Sequence, residues 1–146
     1  MILYLDASAV VAVVAREPTS SAVDHLVRSG DYRVVVSDFA IAEISAAIAR
    51  IGRVRRLRIE DIENRFAELD GWLSSFVGSV GITSADIAAA NDLVRIHDLK
   101  LRAPDAIHLA AAQRQGATLA TLDNNMARAA ATLDVPCINP ADVSAL

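Results

Sequence analysis

Four acidic residues stand where an alternating strand–helix chain gathers side chains at one edge. Asp6 follows the apolar run Ile2–Leu5, and Asp123 follows the apolar run at 117–122. Asp105 comes directly after Pro104 at a helix start, and Glu43 lies a turn or so inside the helical stretch after Arg33–Ser37. Carboxylates brought together repel, and each raises its neighbours' pKa unless a cation intervenes. An all-oxygen donor set selects hard cations, so Mg²⁺ or Mn²⁺ is expected over Zn²⁺. An ion held in this way suits phosphodiester hydrolysis: it generates a hydroxide-like nucleophile, orients the phosphate and stabilises charge on the leaving 3′ oxygen. No Ser-His-Asp or Cys-His arrangement competes with it, since His25 and His97 fall in helical segments without a paired nucleophile.

Each acid also has an ordinary structural reading. Asp6 can cap the helix that follows it, and Asp105 can serve the dipole of the helix behind Pro104. Glu43 is harder to explain that way. It sits among Ile41, Ala42, Ile44, Ala46 and Ala47, where an unpaired buried acid is costly. The joint pattern of the four favours a shared chemical role.

The elements that must position these acids follow from periodicity. Ile2–Leu5 reads as a buried strand and 7–16 as a helix. A second helix, capped by Thr19 or Ser20, ends near Gly30. The β-branched stretch Arg33–Ser37 is a second strand, and a helix at 38–51 is closed by Gly52. Apolar residues at helical spacing predict a helix from 58 to about 72, then a weak strand at 76–82 containing two glycines. Ser84 or Thr83 caps a helix running to about His97. Ala103–Gln115 has Pro104 in its first turn and Gly116 at its end. A strand at 117–122, a helix at 124–133 and a strand at 135–138 complete the chain. The alternation predicts an α/β fold in three layers, α/β/α, with sites outside the carboxyl ends of the parallel strands.

With 146 residues, 53% of them hydrophobic and 22% charged, the chain is expected to form one domain over 1–146 with an aliphatic core. The start, MILYLDASAVVAVVA, lacks a basic region and is interrupted by Asp6, so it is not read as a signal peptide. No stretch approaches the roughly 18 apolar residues of a membrane span. The single cysteine, Cys137, permits no internal disulfide, and a cytoplasmic protein without membrane attachment is expected. The net charge of −4 does not exclude a nucleic-acid substrate. Without the four candidate ligands the 18 acids become 14, equal to the 14 Lys and Arg.

The blocks around the acids carry a resemblance. LYLDASAVVAVVARE at 3–17, SDFAIAEISAAIAR at 37–50, LRAPDAIHLAAA at 101–112 and LATLDNNMARAA at 119–130 resemble the PIN-domain ribonucleases. More narrowly, they resemble the stand-alone toxins of VapBC-type toxin–antitoxin modules, and they come in the family's order over nearly the whole chain. The resemblance implies a central five-stranded parallel sheet, Mg²⁺- or Mn²⁺-dependent endoribonuclease activity on RNA, a homodimer and inhibition by a cognate antitoxin. Asp6, Glu43, Asp105 and Asp123 match the family's acidic ligands. Ser8 and Thr121 match its small hydroxyl positions, expected to hold carboxylates or metal-bound water. Asp38 departs from the more usual Ser or Thr, and Asn125 stands where the family varies.

His108, three residues after Asp105, is read as a packed, hydrogen-bonded histidine outside the catalytic set. Arg102 stands near the expected catalytic edge, where phosphate contact or solvation are both open. Arg50, Arg53, Arg55, Arg56 and Arg58 put five of the 14 basic residues around Gly52. Such a cluster is a footprint for RNA phosphates, a docking surface for an acidic antitoxin segment, or a solvated connection. An aspartyl-phosphate phosphatase needs a second acid where Ser8 stands, and a dinucleotide fold needs GxGxxG where ASAVVA stands. A scaffold without metal remains as an alternative, although all four acids are present. So does a nuclease acting on DNA.

Overall fold

The computed structural model describes residues 1–143. The elements run β1 (Ile2–Leu5), α1 (Ala7–Val14), α2 (Ser20–Arg28), β2 (Arg33–Ser37), α3 (Asp38–Val54), α4 (Ile59–Phe76), β3 (Gly78–Val80) and α5 (Ser84–Val94). A 3-10 turn (His97–Leu99), α6 (Ala103–Gln115), β4 (Thr118–Ala120), α7 (Asn124–Thr132), β5 (Cys137–Ile138) and α8 (Pro140–Val143) follow. The five strands lie in the order β3-β2-β1-β4-β5, every neighbouring pair parallel. Strand order reverses at β1, which pairs with β2 on one side and β4 on the other. A crevice therefore opens beyond the carboxyl ends of β1 and β4.

Alternation of side chains along the strands divides the core into two layers. Leu3, Leu5, Val34 and Val36 pack with Ala9 and Val10 of α1 and with Ile44 and Ile48 of α3. Tyr4, Val35 and Leu119 face the other way, against Leu109 and Ala112 of α6 and Ala129 and Ala130 of α7. Burial on both faces explains why these strands read as continuous apolar runs. The expected three-layer α/β/α arrangement with a five-stranded parallel sheet is the one observed.

The boundaries that differ have physical causes. Gly52 does not close α3, which runs on to Val54, and Arg56 then takes a left-handed φ of 50°. A Cβ at Gly52 would stand 2.5 Å from Ile62 Cδ1, so this glycine serves the close approach of α4 to α3. The expected strand at 76–82 shrinks to Gly78–Val80. Phe76 ends α4, while the Ile82 N–H donates to Asp38 and the Gly81 carbonyl accepts from Arg114. The helix expected to reach His97 stops at Val94, and α1 stops at Val14, two residues before Arg16 turns left-handed. Ala103–Gln115 is as expected, with Gly116 at a φ of 58°.

Candidate active site

Asp6 leaves β1 and caps α1. Its Oδ1 accepts from the Ala9 N–H at 3.1 Å and the Ser8 hydroxyl at 2.7 Å, and its Oδ2 accepts from Thr121 Oγ1 at 2.6 Å. The side chain is 1% exposed, and among the described residues it makes no ion pair. Burial pushes its carboxyl above the usual range, against the pull of the hydrogen bonds from Thr121, Ser8 and Ala9. The two hydroxyls also stitch neighbouring loops together. Ser8 Oγ accepts the Leu122 N–H at 3.0 Å, and Thr121 Oγ1 accepts the Asp123 N–H at 3.0 Å.

Asp123 caps α7 with Oδ1 alone, which accepts from the N–H groups of Asn125 and Met126. Its Oδ2 stands 4.0 Å from Arg102 Nη2. Asp105, in the first turn of α6, is buried, and both its oxygens accept from the Arg102 guanidinium, at 3.1 and 3.3 Å. Three helices thus direct their N-terminal ends at the acids, and their partial positive charge offsets part of the mutual repulsion. The capping reading and the chemical reading of Asp6, Asp105 and Asp123 are compatible, because a cap uses only some of a carboxylate's lone pairs.

Glu43 reaches the same place from α3. Its Oε2 lies 2.6 Å from His108 Nε2 on α6, and His108 Nδ1 lies 2.9 Å from the Tyr4 hydroxyl. His108 is buried and hydrogen-bonded, as expected, and it also holds a candidate ligand. Its spacing after Asp105 was the signal: i and i+3 share one helix face.

Asp6, Ser8, Glu43, Arg102, Asp105, His108 and Asp123 line a single cavity of about 100 Å³. Among the described residues, no group of three or more His, Cys, Asp or Glu side chains stands close enough together to hold a metal ion as it is. The donor set still fits a magnesium-type ion, which keeps several waters and takes only one or two carboxylates directly. The deeply buried Asp6 carboxylate, with no cation beside it, is the group such an ion would neutralise.

The profile of the family described as the PIN domain matches residues 3–132. Ribonuclease VapC46 of Mycobacterium tuberculosis is 33% identical, covering 94% of this chain and 97% of that protein. This chain belongs to the PIN-domain family. The fold has solved counterparts. VapBC2 from Rickettsia felis, solved bound to a DNA fragment from its promoter, has a TM-score of 0.72 at 17% identity, covering 95% of this chain and 98% of that one. VapC20 of Mycobacterium tuberculosis, described as a sarcin-ricin loop cleaving toxin, has a TM-score of 0.67 at 19% identity, covering 87% and 94%.

The PIN fold separates the arginine cluster from the acids. From Glu43 to Arg53 is ten residues of α3, about 15 Å along the helix axis. Arg50, Arg53 and Arg55 rim a groove of about 690 Å³ whose lining includes Val11, Ala46, Ala47 and Ile51. Arg56 lies outside that lining, and Arg58 pairs with Glu60 and Asp61. Arg102 alone of the candidate basic residues stands at the acidic cavity.

Proposed function

We propose that this PIN-domain chain is a divalent-metal-dependent endoribonuclease acting as the toxin of a toxin–antitoxin pair. The observation that carries this reading is the gathering of Asp6, Glu43, Asp105 and Asp123 on one cavity at the carboxyl edge of the parallel sheet. These four would hold Mg²⁺ or Mn²⁺. When bound, such an ion supplies a polarised water and stabilises charge as a phosphodiester is hydrolysed. The chain's own contribution is positional. Ser8 and Thr121 hold the Asp6 carboxylate in one orientation, and His108 holds Glu43. Arg102, with a side chain 75% exposed above Asp105 and Asp123, is suited to an RNA phosphate once a cation neutralises those acids.

RNA is favoured over DNA by the relative named a ribonuclease at 33% identity. An antitoxin partner is supported by the VapBC likeness of the fold. We assign that partner to the groove rimmed by Arg50, Arg53 and Arg55. Its apolar floor suits a protein segment better than a nucleic acid, and its rim suits acidic flanks. A homodimer and a cytosolic site of action complete the reading; among the described residues no helix is long and apolar enough to cross a membrane.

Purified protein incubated with bacterial RNA tests the reading. Cleavage is expected with Mn²⁺ or Mg²⁺ and none with EDTA. Intact RNA under both conditions would favour a scaffold, and cleavage of single-stranded DNA alone would favour the DNA-directed alternative. Expression alone should arrest growth, and co-expression of the cognate antitoxin should restore it.

A further inference from the structure

A hydrogen-bonded chain runs from the start of α3 to Glu43 in the same helix, by way of two other elements. Ser37 Oγ accepts the Ala40 N–H at 3.0 Å as the cap of α3. The Tyr4 hydroxyl of β1 donates to that oxygen at 2.9 Å. The same hydroxyl lies 2.9 Å from His108 Nδ1, and on the far side of the ring Nε2 lies 2.6 Å from Glu43 Oε2. The imidazole is also wedged between rings, with centroids 5.4 Å from Phe39 and 5.9 Å from Tyr4. Burial raises the Tyr4 pKa, so the phenol remains a neutral donor.

We propose that Tyr4 and His108 form a positioning relay that fixes the Glu43 carboxylate toward the acidic cavity, in readiness for the metal. A buried histidine needed only for packing could be replaced by a leucine of similar bulk. Here both ring nitrogens are engaged. Oε2 of Glu43 is held, while among the described residues no protein donor reaches Oε1. The glutamate is the one candidate ligand on the body of a helix; Asp6, Asp105 and Asp123 are oriented by helix starts. A long, half-buried side chain has more rotamers to lose, so it gains most from an external hold.

The proposal rests on the metal-ligand reading of Glu43, and direct Mn²⁺ titration by electron paramagnetic resonance separates the two. His108→Leu is expected to weaken Mn²⁺ binding about 10- to 100-fold, as loss of a partner behind a metal ligand typically does. Glu43→Gln should weaken it comparably, whereas His108→Gln, which can still donate to Glu43, should remain near wild type. Wild-type affinity in folded His108→Leu, with Glu43→Gln weakened, would overturn the relay while leaving the ligand intact. Wild-type affinity in both would overturn the ligand assignment and the relay with it. Should His108→Leu fail to fold, Tyr4→Phe reaches the relay from its far end. Weakened binding is expected there, and unchanged affinity would overturn the proposal.

Discussion

The Thr121 hydroxyl donates to Asp6 Oδ2 across 2.6 Å while accepting the backbone N–H of Asp123. One small side chain at the end of β4 therefore sets the position of two acids from different loops. Thr121→Val preserves shape but leaves a buried carboxylate oxygen and a backbone N–H without partners. Denaturant unfolding should show a loss of about 1–3 kcal/mol, and RNA cleavage should fall about 10-fold or more. Thr121→Ser should retain most of both.

Metal binding to the native acids should appear as stabilisation, because the ion binds the folded protein preferentially. At 100 times Kd the gain is about 2.7 kcal/mol, equivalent to a rise of several degrees in Tm. Scanning calorimetry with and without millimolar Mn²⁺ measures it. The rise should be absent in Asp6→Asn, and a wild-type curve indifferent to Mn²⁺ would favour the scaffold reading.

The groove on α3 makes a separable prediction. Arg53→Ala combined with Arg55→Ala should leave RNA cleavage unchanged, since Arg53 stands about 15 Å along the helix from Glu43 and Arg55 lies past the helix end. The same variant should escape the antitoxin, arresting growth even when the antitoxin is co-expressed. Reduced cleavage with weaker salt dependence would assign the arginines to RNA phosphates instead.

Away from the site, Asp86 accepts two hydrogen bonds from Arg114, at 2.8 Å each, and is 2% exposed. The Arg114 hydrogen bonds hold its pKa below the ordinary carboxylate value, against the effect of burial. A lowered acid pKa adds stability above the unfolded value of about 3.9, and that stability is lost as pH falls through the lower folded value. Asp86→Asn should therefore cost about 2 kcal/mol at pH 7. The gap from wild type should narrow below about pH 4, as read from urea melts across pH.

The strands are legible in the sequence because both-sided burial leaves apolar runs, and Asp6 and Asp123 are conspicuous where two of them end. Asp105 and Glu43 lie within helices, and only packing brings them to the same cavity. Gly52 misled because a glycine near a helix end usually marks a stop, and only the packing of Ile62 reveals its other use. The short β3 was overestimated because its continuation is held by Asp38 and Arg114 from distant parts of the chain. The spacing of His108 after Asp105 puts both on one face of α6, but the contact of His108 with Glu43 spans 65 residues and depends on how α3 packs. The arginine cluster was visible as charge, while its distance from the acids depended on how far α3 continued.

The central claim is that four carboxylates act together in metal-dependent RNA cleavage. The direct measurement is the single-turnover cleavage rate of RNA in saturating Mn²⁺ for wild type, Asp6→Asn, Glu43→Gln, Asp105→Asn and Asp123→Asn, each first shown to be folded by circular dichroism. Each substitution should lower the rate by about 100-fold or more, in line with the loss of a group that acts on the reacting centre. Wild-type rates in any two folded variants would contradict the assignment of the site.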